Sequence, residues 1–170
     1  EAIIDEYIYC NAMGKSTKDP VLACRYMETE SIAGGSLAVA NHVAGFCDEV
    51  RLVTCLGDRE RREDFVRSTL RPNVEPILLT KSDSPTIHKR RIVDHYTQNK
   101  LLELYVMEDR LLQGDNEMVL NNTVAEGLGD WDVVIAIDFG HGLFTPSLIE
   151  TLCSGVRFLA VNAQSNAGNQ

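Results

Sequence analysis

The sequence lacks most of the features that mark common functional classes. No apolar stretch approaches the roughly 20 residues needed to cross a bilayer, which excludes a membrane-spanning helix. Neither a GxxxxGK(S/T) phosphate-binding loop nor a GxGxxG motif occurs. Lys and Arg number only 16 against 25 Asp and Glu, and the net charge of −9 argues against a nucleic-acid partner. We therefore expect neither a membrane nor a nucleic acid among the partners.

The five cysteines form no metal-binding pattern. They are widely spaced and no CxxC pair occurs, so a zinc site is not expected. Cys47 and Cys55 lie among apolar neighbours, which predicts that both are buried in a protein of the reducing cytoplasm.

The apolar segments predict an α/β fold. Strands are expected at 51–56, 74–80, 133–137 and 156–161, and helices at 36–46, 59–70, 116–128 and from Thr145 onward. Residues 133–137 are apolar without alternation, which is typical of a parallel strand covered on both faces. The alternation predicts a mostly parallel, Rossmann-like sheet with helices on both faces. A β-like run at 21–27 and a hairpin at 86–106 do not fit it and predict a small side sheet.

Two segments can contact an anionic or oxygen-rich ligand. Gly34 and Gly35 precede a helix, where the backbone can approach a ligand closely, although a plain turn has the same pattern. In the strand that follows Thr86, alternation places Lys89 and Arg91 on one face, where two cations can hold a phosphate. A charged edge strand that deters aggregation is the alternative.

Polar residues also follow the last two predicted strands. Asp138 ends a buried strand and is followed by Gly140-His141-Gly142, where ligands of open α/β sheets bind. Capping of the turn by Asp138 is the alternative. Asn162 and Asn166 follow the next strand, where amides can bond sugar hydroxyls or a nucleotide, or form an ordinary polar loop.

The order of these motifs carries a family resemblance. The motifs are Asp5-Glu6-Tyr7, Gly34-Gly35 before a helix of small residues, Leu56-Gly57-Asp58, the PTxxKxR-like strand 85–91 with Gln98 after it, and the Asp138–Gly142 loop. Together they resemble the ribokinase-like (PfkB) carbohydrate kinases, and most of all the heptose-phosphate kinase domain of bifunctional heptose kinase/nucleotidyltransferases.

The resemblance implies one partial ribokinase-like domain over residues 1–170, with lid strands at about 5–32 and 84–107 inserted in the α/β core. It implies transfer of the ATP γ-phosphate to a sugar or sugar phosphate, with Mg²⁺, in the full-length protein. It also implies a homodimer formed through the β lid. The implied substrate-binding residues are Asp5, Gly34, Gly35, Lys89, Arg91, Asp138 and His141, and the implied nucleotide-binding residues are Asn162 and Asn166.

Several positions depart from the family pattern. Ala38 stands at its GGxxN asparagine, with Asn41 a turn later, and His141 replaces its loop lysine. Glu103 and Tyr105 stand where an arginine and an aspartate usually follow the glutamine. The catalytic base and most of the adenine site are expected beyond residue 170, so this chain alone is expected to be inactive. A catalytically inactive kinase-derived domain that binds sugar or dimerises is the alternative.

Overall fold

The computed structural model describes residues 1–164. In this range eight strands form three sheets, and four α-helices accompany them. The elements are β1 (Ala2–Lys15), β2 (Leu22–Gly34), α1 (Gly35–Val43), β3 (Val50–Arg59), α2 (Glu63–Thr69), β4 (Val74–Pro85), β5 (Ile87–Asp94), β6 (Lys100–Val106), α3 (Asp115–Ala125), β7 (Val134–Asp138), α4 (Pro146–Gly155) and β8 (Leu159–Ala163). None of the helices within this range is long and apolar enough to cross a membrane.

The side sheet expected from the sequence is a four-stranded mixed sheet in the order β2-β1-β5-β6. β1 runs antiparallel to β2 and parallel to β5, and β5 and β6 form the predicted antiparallel hairpin. The run predicted at 21–27 is part of a longer strand that continues to Gly34. Residues 28–31 of that continuation are polar, so they carry no apolar signal. They are ordered instead by backbone pairing with β1.

Two parallel pairs, β3–β4 and β7–β8, form the α/β core. Residues of β3 alternate between two hydrophobic clusters. Leu52 and Leu56 pack with α1 and α2, whereas Val53 and Cys55 pack with α3, α4 and Ala136 of β7. The prediction of an α/β fold with helices on both faces of parallel strands is therefore confirmed, and β3–β4 is the pair covered on both sides.

Three local expectations are wrong. β7 is not covered on both faces, because Ile135 is 41% exposed and Val161 of the paired β8 is 66% exposed. The helix expected at 59–70 is reduced to α2, because Glu60 and Arg62 have left-handed backbone angles (φ 47° and 52°) that interrupt a helix. Cys55 is buried as expected but Cys47 is exposed, since it lies in the loop after α1.

The start of α4 agrees with its sequence signal. Thr145 is the N-cap residue, and its hydroxyl oxygen accepts the backbone N–H of Leu148 at 3.3 Å. Pro146 occupies the first helical position, where its missing N–H costs no hydrogen bond. This cap places the end of the loop that follows β7.

Candidate functional site

The double glycine lies directly against Asp5. A Cβ on Gly34 would be 2.0 Å from Asp5 Oδ2, so a larger residue would push this carboxylate away. Gly35 has a left-handed φ of +55°, and a Cβ there would be 2.6 Å from the backbone oxygen of Glu1. Both glycines are thus required by close approach of β1 to the β2–α1 junction, in addition to any contact with a ligand.

Arg91 binds the same carboxylate from the neighbouring strand. Its Nη1 donates to Asp5 Oδ1 at 2.5 Å, and its guanidinium lies 5.4 Å from the ring centroid of Tyr7. Burial disfavours the charged guanidinium, but the hydrogen bond and the charge of Asp5 outweigh it, so the pKa of Arg91 is raised. Asp5, Gly34 and Arg91 therefore form one contiguous group built from β1, β2 and β5.

Lys89 and Arg91 share a face of β5, as alternation predicts. Lys89 is opposite Tyr105 of β6, and its ammonium lies 5.8 Å from the centroid of that ring. Arg90 is on the other face, where its Nε donates to Glu6 Oε2 at 2.6 Å. The face that carries Lys89 and Arg91 also carries Asp5, because Lys89 and Asp5 are partners in the parallel register of β1 and β5.

The nearby basic residues of the sequence do not join this group. His88 is fully buried, and its Nδ1 lies 2.8 Å from the backbone oxygen of Thr86. Lys81 donates to the backbone oxygens of Glu108 and His141, at 2.5 and 3.0 Å, and burial lowers the pKa of its ammonium. Lys81 therefore holds a loop in place rather than contributing charge beside Lys89.

The loop after β7 is organised by a carboxylate that the sequence reasoning missed. Glu1 is buried, and its Oε1 accepts the backbone N–H groups of His141 and Leu143, at 3.2 and 3.1 Å. Its Oε2 accepts the N–H of Phe139 at 3.2 Å, and its backbone oxygen accepts the N–H of Ser36 at 3.0 Å. Glu1 thus connects this loop to the start of α1. A charged residue beside the apolar run 2–4 was the available signal.

Asp138 and His141 both have partners within the loop region. Asp138 Oδ1 accepts the N–H of Gly140 at 2.7 Å, which is the turn-capping contact considered from the sequence. His141 is 4% exposed, and its Nδ1 lies 2.9 Å from Asp109 Oδ1. The pairing with Asp109, 32 residues away, could not be inferred from sequence spacing. The substrate-binding roles of Asp138 and His141 stay predictions.

Of the two predicted nucleotide-binding residues, only Asn162 is among the residues that the structure describes. Asn162 is exposed on β8, where it pairs with Ile137 in the parallel register. No contact recorded within residues 1–164 brings its side chain to Asp5 or Arg91. Asn166 lies outside the described residues. A nucleotide-binding role for either asparagine stays a prediction.

A cavity beside the loop that follows β7 is too small for a sugar. It has a volume of about 20 Å³ and is lined in part by Glu1, Lys81 and His141, whereas small-molecule sites usually exceed 300 Å³. A more open depression of about 400 Å³ lies beside Glu117 and Ser147, and none of the predicted site residues lines it. Of the predicted residues, Asp5, Gly34, Lys89 and Arg91 converge on the open face of the four-stranded sheet.

Curated relatives match most of this chain at low identity. The bifunctional protein HldE of Shewanella amazonensis is 29% identical over 143 residues, which are 84% of this chain and 29% of that protein. The bifunctional protein HldE of Campylobacter jejuni subsp. doylei is 23% identical over 159 residues, which are 94% of this chain and 32% of that protein. The chain therefore spans about a third of the length of these relatives. No protein-family model matches the chain.

Solved structures share the fold. Phosphofructokinase-2 from Escherichia coli in complex with fructose-6-phosphate aligns with a TM-score of 0.65 at 15% identity, over 98% of this chain and 53% of that one. The tetrameric inhibited form of phosphofructokinase-2 from the same organism aligns with a TM-score of 0.64 at 16% identity, over 94% and 52% of the two chains. The expected ribokinase-like fold is confirmed, and with it the resemblance to the ribokinase-like carbohydrate kinases.

Proposed function

We propose that this chain is the sugar-binding part of a carbohydrate kinase that transfers the γ-phosphate of ATP to a sugar or sugar phosphate. The observation that carries the proposal is the convergence of Asp5, Gly34 and Arg91 on one sheet face, with Asp5 held between the glycine and the guanidinium. Asp5 can accept hydrogen bonds from sugar hydroxyls, and Lys89 beside it supplies a donor. The heptose phosphate implied by the sequence resemblance is the starting candidate for the substrate.

The described residues supply binding and orientation rather than a complete phosphoryl-transfer site. Within residues 1–164, no group of three or more His, Cys, Asp or Glu side chains is arranged to hold a metal ion. We therefore assign no step of the reaction to a metal-bound phosphate in this part of the chain. The role of Glu1 is to hold the 139–143 loop, and through it Asp138, beside the start of α1.

The function is tested by ATP-dependent phosphorylation of a panel of sugars and sugar phosphates by the full-length protein. Asp5→Asn and Lys89→Ala are each expected to lower kcat/KM by about 10- to 100-fold, the effect of one hydrogen bond to a charged group. Lys15→Ala is the matched control, since Lys15 lies exposed at the far end of β1 and should leave kcat/KM unchanged. Phosphorylation that is unaffected by Asp5→Asn would contradict the assigned site.

A second candidate is a kinase-derived domain that binds sugar without catalysis. It is favoured by the burial of His141 against Asp109 at the position where the family carries a lysine. The same assay separates the two candidates. Sugar binding in the absence of any ATP turnover by the full-length protein would support the binding domain, whereas turnover would support the kinase.

We also propose that two copies of the chain associate through the four-stranded sheet. Its face opposite Asp5 exposes large apolar side chains, with Tyr26 at 64%, Leu102 at 50% and Leu104 at 47% exposure. These side chains lie on the two outer strands of the sheet, with the Arg90–Glu6 ion pair between them. Exposed apolar side chains of this size are typical of an interface. Leu104→Asp is expected to convert a dimer to a monomer in analytical ultracentrifugation, whereas the same substitution of Met118, a residue of similar exposure on α3, should not. A monomeric unmodified protein would contradict this assignment.

A further inference from the structure

The guanidinium of Arg91 already contacts two carboxylates. Its Nη1 donates to Asp5 of β1, and its Nε lies 3.3 Å from Glu103 Oε1 of β6. An arginine recognises a phosphate through parallel N–H bonds of its planar guanidinium and through its positive charge. In this site two carboxylates from different strands use part of that bonding capacity, and each carries one compensating negative charge.

Glu103 is itself held in place. The hydroxyl of Tyr105 donates to its Oε2, and Lys100 Nζ lies 3.1 Å from its Oε1. The hydrogen bond from Tyr105, followed by that from Lys100, lowers the pKa of Glu103. The carboxylate is therefore charged at neutral pH, and several contacts must break before it can leave Arg91.

Lys89, the other cation on this face, does not by itself give the site a net positive charge. Lys89 forms no ion pair in the part of the chain that the structure describes, and its ammonium faces the ring of Tyr105. The charges of Lys89 and Arg91 are matched one for one by Asp5 and Glu103. Glu30, opposite Tyr7 on β2, adds a further negative charge to this face. Lys100, which is 58% exposed at the rim, offsets it. A phosphate monoester carries close to two negative charges.

We propose that Glu103 makes this site select a sugar that carries no phosphate at the end facing Arg91. The inference rests on the proposed carbohydrate-kinase function and narrows its substrate class to sugars that carry no phosphate at that end. A phosphate beside Arg91 would also lie beside the Glu103 carboxylate, and like charges at such distances repel strongly in a partly buried site. The hydroxyl of a neutral sugar instead donates to the same carboxylate.

The test compares matched sugar pairs, each a free sugar with its monophosphate. Fructose with fructose 6-phosphate, mannose with mannose 6-phosphate and a heptose with its 7-phosphate are titrated calorimetrically into the full-length protein. The unmodified protein is expected to bind at least one free sugar about tenfold or more tightly than its ester. Glu103→Gln keeps the shape of the side chain and is expected to strengthen binding of the ester by about tenfold.

Two further variants sharpen the test. Glu103→Thr places a residue that suits strands at the same position and is expected to shift the preference in the same direction, should the glutamine variant fold poorly. Glu126→Gln, at the exposed end of α3, changes the net charge equally and is expected to leave the preference unchanged.

The outcomes separate this inference from the proposed function. Tighter binding of an ester than of its free sugar by the unmodified protein, or an unchanged preference in both Glu103 variants, would overturn the inference while a sugar-binding kinase still stands. Binding of no sugar and no ester by the unmodified protein would overturn the proposed function, and the inference with it.

Discussion

Replacing Gly34 by alanine should reveal how closely the double glycine and the acidic site residue are coupled. The backbone of Gly34 is extended (φ −114°, ψ −178°), so alanine fits its conformation without strain. The obstacle is the side chain of Asp5, whose Oδ2 would be 2.0 Å from the new Cβ. Because that oxygen is the end of a flexible side chain, we expect Asp5 to rotate away and lose its bond to Arg91.

The size of the effect follows from two opposing contributions. Loss of a hydrogen bond between charged, partly buried groups costs about 1.5–3 kcal/mol of unfolding free energy. Replacing glycine by alanine at a compatible backbone position stabilises the folded protein by about 0.4–1 kcal/mol, because it reduces the conformational entropy of the unfolded chain. The net expectation is that Gly34→Ala destabilises the protein by about 0.5–2.5 kcal/mol.

A double-mutant cycle with Asp5→Ala should remove most of the effect. Once Asp5 is truncated, the nearest remaining neighbour of the new Cβ is the backbone oxygen of Ile3 at 3.3 Å, so Gly34→Ala is expected to change the stability of that variant by less than about 1 kcal/mol. Denaturant unfolding followed by the fluorescence of Trp131 measures each corner of the cycle. Gly129→Ala is the control, since a Cβ there meets nothing within 4 Å. Equal effects of Gly34→Ala with and without Asp5 would refute the reasoning.

Three other positions give independent tests. Gly57→Ala should cost about 3 kcal/mol or more in urea unfolding, because its Cβ would be 2.2 Å from the rigid backbone oxygen of Ser84. The backbone N–H groups of Asp83 and Ser84 lower the pKa of Asp58, so its carboxylate stabilises the folded protein above the unfolded pKa of about 4. Asp58→Asn should therefore lose a constant amount of stability at neutral pH, and this loss should disappear as the pH falls below about 4. Melting curves of the two proteins measured over a pH series should converge at low pH. Glu1→Gln should speed amide hydrogen exchange in the 139–143 loop about tenfold or more, whereas unchanged exchange would contradict its anchoring role.

Much of the fold could be predicted because its signals are local. The β-branched and apolar residues of β3, the continuous apolar residues of β7, the glycines before α1 and the Thr-Pro start of α4 are each signals within a few neighbouring residues. The elements that were not predicted are those whose structure depends on contacts distant in sequence. The polar, exposed residues of β2 form a strand only because β1 pairs with them, and no short window of sequence contains that pairing.

The features of the candidate site are likewise of two kinds, those set by local spacing and those set by contacts between distant strands. That Lys89 and Arg91 share one face of a strand follows from their spacing, because residues two apart on a strand always lie on the same face. The pairing of Arg91 with Asp5, 86 residues away, and with Glu103 depends on how three separate strands assemble. Register between separate strands sets those contacts, and it depends on the packing of the whole sheet. The charge left for a ligand is therefore a property of the folded molecule.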